Sequence, residues 1–294
     1  MMIPESLAAF WQTYNTLVYT LFVHALLGLS IYATLACGQL SLGNAAFMGI
    51  GAYAAALLTM KADAPFAVSI VCGGLLPAVV ALVIGIPVLR LSGVYLAMAT
   101  LGFGEVVRVV FLNLSITGGP LGLNGIPPKT GFQHLVPVLL ACIYAFRKLK
   151  DSRFGRAMEA INEDETAAAA MGIRTTAVKV WAFTAGAFIA GIAGGLNAHY
   201  TFFVSPREYG FEPAVDILTF AILGGTRTLW GPIAGSVILT VIPELFRFLG
   251  PYRLALNGFI LLMTILYLPN GIMDRESWRK GKKEIPNIQI SNFK

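Results

Sequence analysis

The chain has 294 residues, of which 56% are hydrophobic and only 12% charged, with a mean hydropathy of +0.73. Soluble domains carry about 25% charged residues, so a single soluble globular domain is excluded. The net charge of +6 would suggest nucleic-acid affinity in a soluble protein; here the basic residues border apolar runs and read as membrane-proximal cations, with lipid as the partner and no nucleic acid.

Residues 1–15 contain Glu5 and no Lys or Arg, so the basic flank of a cleavable signal is missing and the first apolar run is expected to stay as a helix. Apolar runs then predict nine spans. They are Thr16–Ala36, Leu40–Met60, Phe66–Leu89, Gly93–Leu114, Phe132–Leu149, Ala177–Tyr200, Pro213–Gly224, Leu229–Leu249 and Arg253–Leu268. Most reach the roughly 20 residues that a ~30 Å hydrocarbon core requires. Phe132–Leu149 leans on Arg147 and Lys148 at its end, and Pro213–Gly224 is short enough to be a half-helix.

Gln39, Ser41 and Asn44 place polar groups beside Gly38 and Gly43 at membrane depth. Broken helices of this kind line a substrate cavity or pack closely through small residues, and both readings stay open here. Glu105 and Arg108 stand at (i, i+3) within one span, and Glu244 and Arg247 repeat the spacing. Intramembrane charges are functional candidates, although a self-satisfied pair also ties helices together.

The longest soluble-looking insert is Ser152–Gly172. Ser152 can cap a short helix, and Asn162 with Glu165 has capping-box spacing for a second one of about nine residues, ended by Gly172. Ala167–Ala170 make that second helix a slim rod suited to another protein's cleft. Residues after Gly271 turn polar and aperiodic and are expected to form a flexible cytoplasmic tail over 274–294, leaving 1–273 as the transmembrane domain.

Charge orients the bundle. With nine spans, fifteen basic residues fall on the side of the insert, among them Arg90, Arg147, Lys150, Arg153, Arg174, Arg227 and Arg275. Five (Lys61, Lys129, Arg207, Arg247 and Arg253) fall on the other. Lys and Arg stay cytoplasmic, which predicts the N-terminus outside and the insert and C-terminus inside. Cys37, Cys72 and Cys142 lie singly in apolar runs, and His24, His134 and His199 form no metal pattern, so no metal or cofactor is expected. There is no phosphate-cradling G-x-x-x-x-G-K-[ST], so the chain is not expected to be an enzyme or to hydrolyse ATP itself.

Four stretches, Gly38–Tyr53, Gly93–Arg108, Ser152–Ile173 and Gly224–Gly235, resemble the membrane permeases of ABC importers for branched-chain amino acids, and the likeness runs from about Gly38 to Gly271. The resemblance implies an all-α polytopic bundle with a cytoplasmic coupling helix within residues 150–176. Ser152, Arg153, Phe154, Gly155, Arg156, Ala160, Glu163, Asp164, Glu165, Ala168, Met171 and Gly172 would then face an ATPase. The wider importer pattern has Glu-Ala-Ala before the Gly, where this chain has Thr166-Ala167-Ala168. The implied partners are a second homologous permease, two ATPase subunits and a periplasmic or extracellular binding protein, in a bacterial or archaeal cytoplasmic membrane. Importers of urea and short amides share these motifs. An ion-coupled secondary transporter is the alternative from another class, but it needs an unpaired carboxylate near midplane.

Overall fold

A computed structural model describes residues 5–245 together with 258, 262, 263, 266 and 271–273, with side chains from Tyr14 onward. The expected span Arg253–Leu268, the end of Leu229–Leu249, Arg247 and the tail therefore lie outside the described residues, apart from those few positions. The described residues are mostly helical. The long helices are α1 (Glu5–Leu35), α2 (Asn44–Lys61), α3 (Phe66–Val88), α4 (Gly93–Asn113), α5 (Phe132–Asp151) and α8 (Thr175–Thr201). Two short helices, α6 (Arg153–Glu163) and α7 (Glu165–Ala170), lie between α5 and α8, and α9 (Phe211–Gly224) and α10 (Trp230–Leu245) follow.

Five helices among the described residues are long and apolar enough to cross a bilayer: α1 over Tyr14–Leu35, α3, α4, α5 and α8. Helix α9 has 14 residues, about 21 Å at 1.5 Å per residue, and is shorter than a ~30 Å core.

Helix α8 is the centre of the bundle and packs against α3, α2 and α1. Its glycines allow this. A methyl group added at Gly191 would overlap Gly73 O and Pro77 of α3, one at Gly51 of α2 would overlap the Gly191 backbone, and one at Gly194 would overlap Met48 O. With no apolar driving force between helices in lipid, such backbone proximity supplies the dispersion contacts that hold spans together. Helix α1 is joined to the C-terminal end of α8 by Tyr19, whose ring stacks on Tyr200 at 3.4 Å and whose hydroxyl donates to Leu196 O at 2.9 Å. Helices α9 and α10 form an antiparallel pair against α1, closed at Gly224, Gly231 and Gly235.

Opposite the α6–α7 end, the α4–α5 connection is pinned to the α8–α9 connection. Leu123–Asn124 (β1) pairs antiparallel with Phe203–Val204 (β2). Helices α4 and α5 are the least enclosed of the long apolar helices, and on α4 Val94, Tyr95, Met98, Val106, Val109 and Val110 are all exposed.

Candidate functional site

The insert after α5 is a built module. Ser152 Oγ accepts from Gly155 N at 3.2 Å and donates to Leu149 O at 2.6 Å, turning the chain from α5 into α6 as its spacing predicts. Gly155 sits at this elbow against the carbonyls of Leu149 and Lys150, where any side chain would collide. Met158 and Ile161 of α6 bury into a small cluster with Cys37, Ala168, Val178 and Ala182, while Arg153, Arg156, Glu159 and Glu163 face outward.

The cap of the second helix differs from the expected one. Asp164, not Asn162, occupies the cap, because its Oδ1 accepts from Thr166 N at 2.8 Å and Ala167 N at 3.0 Å, and α7 is six residues long instead of nine. The aspartate lies one residue before the helix in extended backbone, whereas Asn162 is still inside α6. Thr166, where importers carry Glu, donates its hydroxyl to the same oxygen at 2.6 Å. That hydroxyl bond, followed by the two amides, holds the Asp164 carboxyl below its ordinary value. A depressed carboxylate stabilises its helix above the unfolded value and loses that effect as pH falls through the folded one, so the cap is intact at neutral pH. Gly172 ends the unit at φ +85°, the left-handed position expected of it.

Two details escape sequence spacing. Ala168 is buried against α6 and α8, leaving Thr166, Ala167, Ala169, Ala170 and Met171 outside, with Met171 84% exposed. Lys179 of α8 bonds Glu165 Oε2 at 2.5 Å while its own side chain is 11% exposed. This link ties α7 to the central helix, and only the fold brings the two residues together. Beside α6 lies a cavity of about 690 Å³ with Tyr32, Phe146 and Met158 buried in its wall and Lys150, Glu159 and Glu163 exposed at its edge.

The polar break at residues 38–44 is real. The chain leaves helical geometry after Leu35 and re-enters it at Asn44, four residues later than the predicted start of that span. Three amides of the break find partners inside the protein: Gln39 N donates to Thr34 O at 3.1 Å, Leu42 N to Thr100 Oγ1 at 2.9 Å and Gly43 N to Ser41 Oγ at 3.2 Å. Asn44 Nδ2 donates to Ser30 Oγ at 2.6 Å, and Ser30 in turn donates to Gly186 O of α8 at 2.9 Å, so one chain of bonds joins α2, α1 and α8. Gln39 is 2% exposed, and neither polar atom of its side chain has a partner among the described residues. Asn44→Leu leaves the Ser30 oxygen without its donor, and a loss of about 1–3 kcal/mol is expected, read as a lower thermal midpoint of the detergent-solubilised protein. An unchanged midpoint would mean that this network does not stabilise the bundle.

Glu105 and Arg108 do pair. Arg108 Nε and Nη2 lie 2.8 Å and 2.7 Å from Glu105 Oε2, with side chains 33% exposed for Arg108 and 39% for Glu105. Glu244 lies at the described end of α10, and its expected partner Arg247 is outside the described residues. Among the described residues no three His, Cys, Asp or Glu side chains converge as metal ligands.

Residues 13–268 match the model of the branched-chain amino acid transport system permease component. The chain belongs to that family. Two members are the high-affinity branched-chain amino acid transport system permease proteins LivM of Salmonella typhimurium strain LT2 and Escherichia coli strain K12. They are 35% and 34% identical to this chain over 282 residues, covering 84% of it. The chain spans 66% of the length of these two permeases, just under two thirds. The high-affinity branched-chain amino acid transport system permease protein LivH of Salmonella typhimurium strain LT2 is 32% identical over 134 residues, 45% of this chain and 43% of its own length. No solved structure matches this permease.

Proposed function

We propose that this chain is one of two related permease subunits forming the channel of an ATP-driven importer of branched-chain amino acids. The observation that carries the reading is the family match over residues 13–268, and the capped α6–α7 module that the match includes supports it. Two ATPases dock inside, the exposed face of α7 is the coupling surface, and a binding protein delivers substrate outside. ATP binding closes the ATPases and moves α6–α7, which reorients the pore. Reconstituted vesicles test this directly. Uptake of leucine that requires ATP, the partner permease, the ATPases and the binding protein is the expected result, and uptake driven by an ion gradient alone overturns it.

The same reading gives nine crossings with the N-terminus outside. The α6–α7 end of the bundle carries Arg90, Lys150, Arg153 and Arg174, whereas Lys61, Lys129 and Arg207 lie towards the other, which supports this orientation. A cysteine at Asp164 or Ser291 is expected to resist an impermeant thiol reagent in intact cells, and one at Ala62 to react. Labelling at Ser291 from outside would make the number of crossings even and turn α9 into a re-entrant half-helix.

A further inference from the structure

The ion pair between α7 and α8 costs more than holding the module in place requires. Lys179 is the fifth residue of α8, close to its N-terminal end, where the helix dipole disfavours a cation. Its side chain is 11% exposed, and its neighbours Val178, Val180 and Ala182 are buried too. A buried pair of this kind is matched or bettered in stability by apolar side chains of similar volume. The module already has an apolar anchor, because Met158, Ile161 and Ala168 pack on Cys37, Val178 and Ala182 of the bundle. Both of its helices are capped by their own residues, Ser152 and Asp164. Stability alone therefore favours an apolar residue at position 179.

What the charges add is a link that depends on position. Apolar contact is non-directional and tolerates sliding, whereas an ion pair is lost once its atoms part by more than about 4 Å. Lys179, nearly enclosed, would then be an uncompensated buried charge, which a folded chain strongly resists. Helix α8 is thus held in register with α7. Glu165, by contrast, is half open: its side chain is 45% exposed at the start of α7, next to exposed Thr166 and Ala167. A protein seated on that face excludes water from the pair and strengthens it, because opposite charges attract more in a lower dielectric.

Given the importer reading above, on which this step rests, we infer that Glu165 and Lys179 are the positioning residues that make α8 follow α7 when the ATPases close. Their part is to transmit the movement of α7, not to bind substrate. The apolar cluster keeps the module on the bundle, and the ion pair makes its movement count. Docking of an ATPase over Glu165 tightens the pair at the moment it is needed. Without Lys179 the outward face of α7 is unchanged, so the ATPases still bind and hydrolyse ATP while transport falls away.

The test uses vesicles holding the complete importer, with radiolabelled leucine uptake and ATP hydrolysis measured together. Lys179→Met replaces the cation with an apolar chain beside Val178 and Ala182, so assembly and recovery of the ATPases in a pull-down are expected to match wild type. Leucine moved per ATP hydrolysed is expected to fall about tenfold or more, within the usual range for coupling between two sites. The exchange variant, Lys179→Glu with Glu165→Lys, restores the pair with its ends reversed and is expected to regain most of that ratio. A Lys179→Met ratio within about twofold of wild type, below that range, overturns the inference. So does a Lys179→Met variant that fails to assemble, since the pair would then be a structural tie. An exchange variant that assembles and stays as low as Lys179→Met overturns it too; should the exchange not assemble, Lys179→Met decides alone. Wild-type vesicles that show no ATP-dependent leucine uptake would overturn the importer reading, and this inference with it.

Discussion

Replacing Gly191 with leucine is expected to leave almost no folded protein in the membrane fraction. At this position α8 lies backbone against backbone with α2 and α3, and even one carbon would overlap Gly73 O and the Pro77 ring. Rotamer changes cannot relieve a clash with a carbonyl, so the helices must separate. Adding methylenes to a well-packed core costs about 1–3 kcal/mol when side chains can give way. Where backbone must move, a cost beyond about 4–5 kcal/mol is expected, enough to remove most of a typical protein's stability. Gly102→Leu on α4 is the control, because a side chain there meets nothing within 4 Å. Yield and thermal midpoint in detergent read the result. A Gly191→Leu protein with wild-type values would show that the three helices are not held at this distance.

The second large effect is expected at the proposed coupling surface. Met171→Asp and Ala169→Trp alter only the outward side of α7 and its end, since both residues are exposed while Ala168 holds the helix to the bundle. If α7 docks an ATPase as proposed, a carboxylate or an indole on its outward face removes the contact without unfolding the module. Central interface residues cost about 2 kcal/mol or more when changed, roughly thirtyfold in affinity. Recovery of the ATPase with tagged permease should therefore fall below detection for both variants at unchanged membrane insertion. Full recovery with Met171→Asp would move the docking surface away from α7. Ala168→Trp is the less informative change, because it strikes Met158, Ile161 and Val178 inside the permease before it touches a partner.

Much of this was legible in the sequence, and the parts that were not share a physical cause. Long apolar runs are local signals, so the limits of α3, α4 and α8 fall within two residues of those expected. Ser152 and Gly172 were readable because a cap and a left-handed terminus depend on a few neighbouring residues. The second cap was misplaced for the same reason. Asn162 and Asp164 are both good capping residues, and only the point where α6 actually stops decides between them. Burial across elements could not be read at all. Ala168 and Ala169 are chemically identical, and which one faces the bundle follows from how α7 lies on α8. Likewise, the bond from Asn44 to Ser30 and that from Lys179 to Glu165 span 14 residues each, with the helix ends that bring them together lying between.

The length of α8 has a mechanical consequence. It is a single unbroken helix of 27 residues, about 40 Å, with no proline within it. One end holds Lys179, clasped to Glu165 of α7; the other carries Tyr200, stacked on α1, beside the short ladder that joins the two connections on the far side. A helix without a hinge neither bends sharply nor absorbs strain along its axis. A displacement applied where α7 meets α8 must therefore appear at the opposite face of the membrane with little loss, and the Gly51–Gly191–Gly73 crossing near its middle is where the helix would pivot.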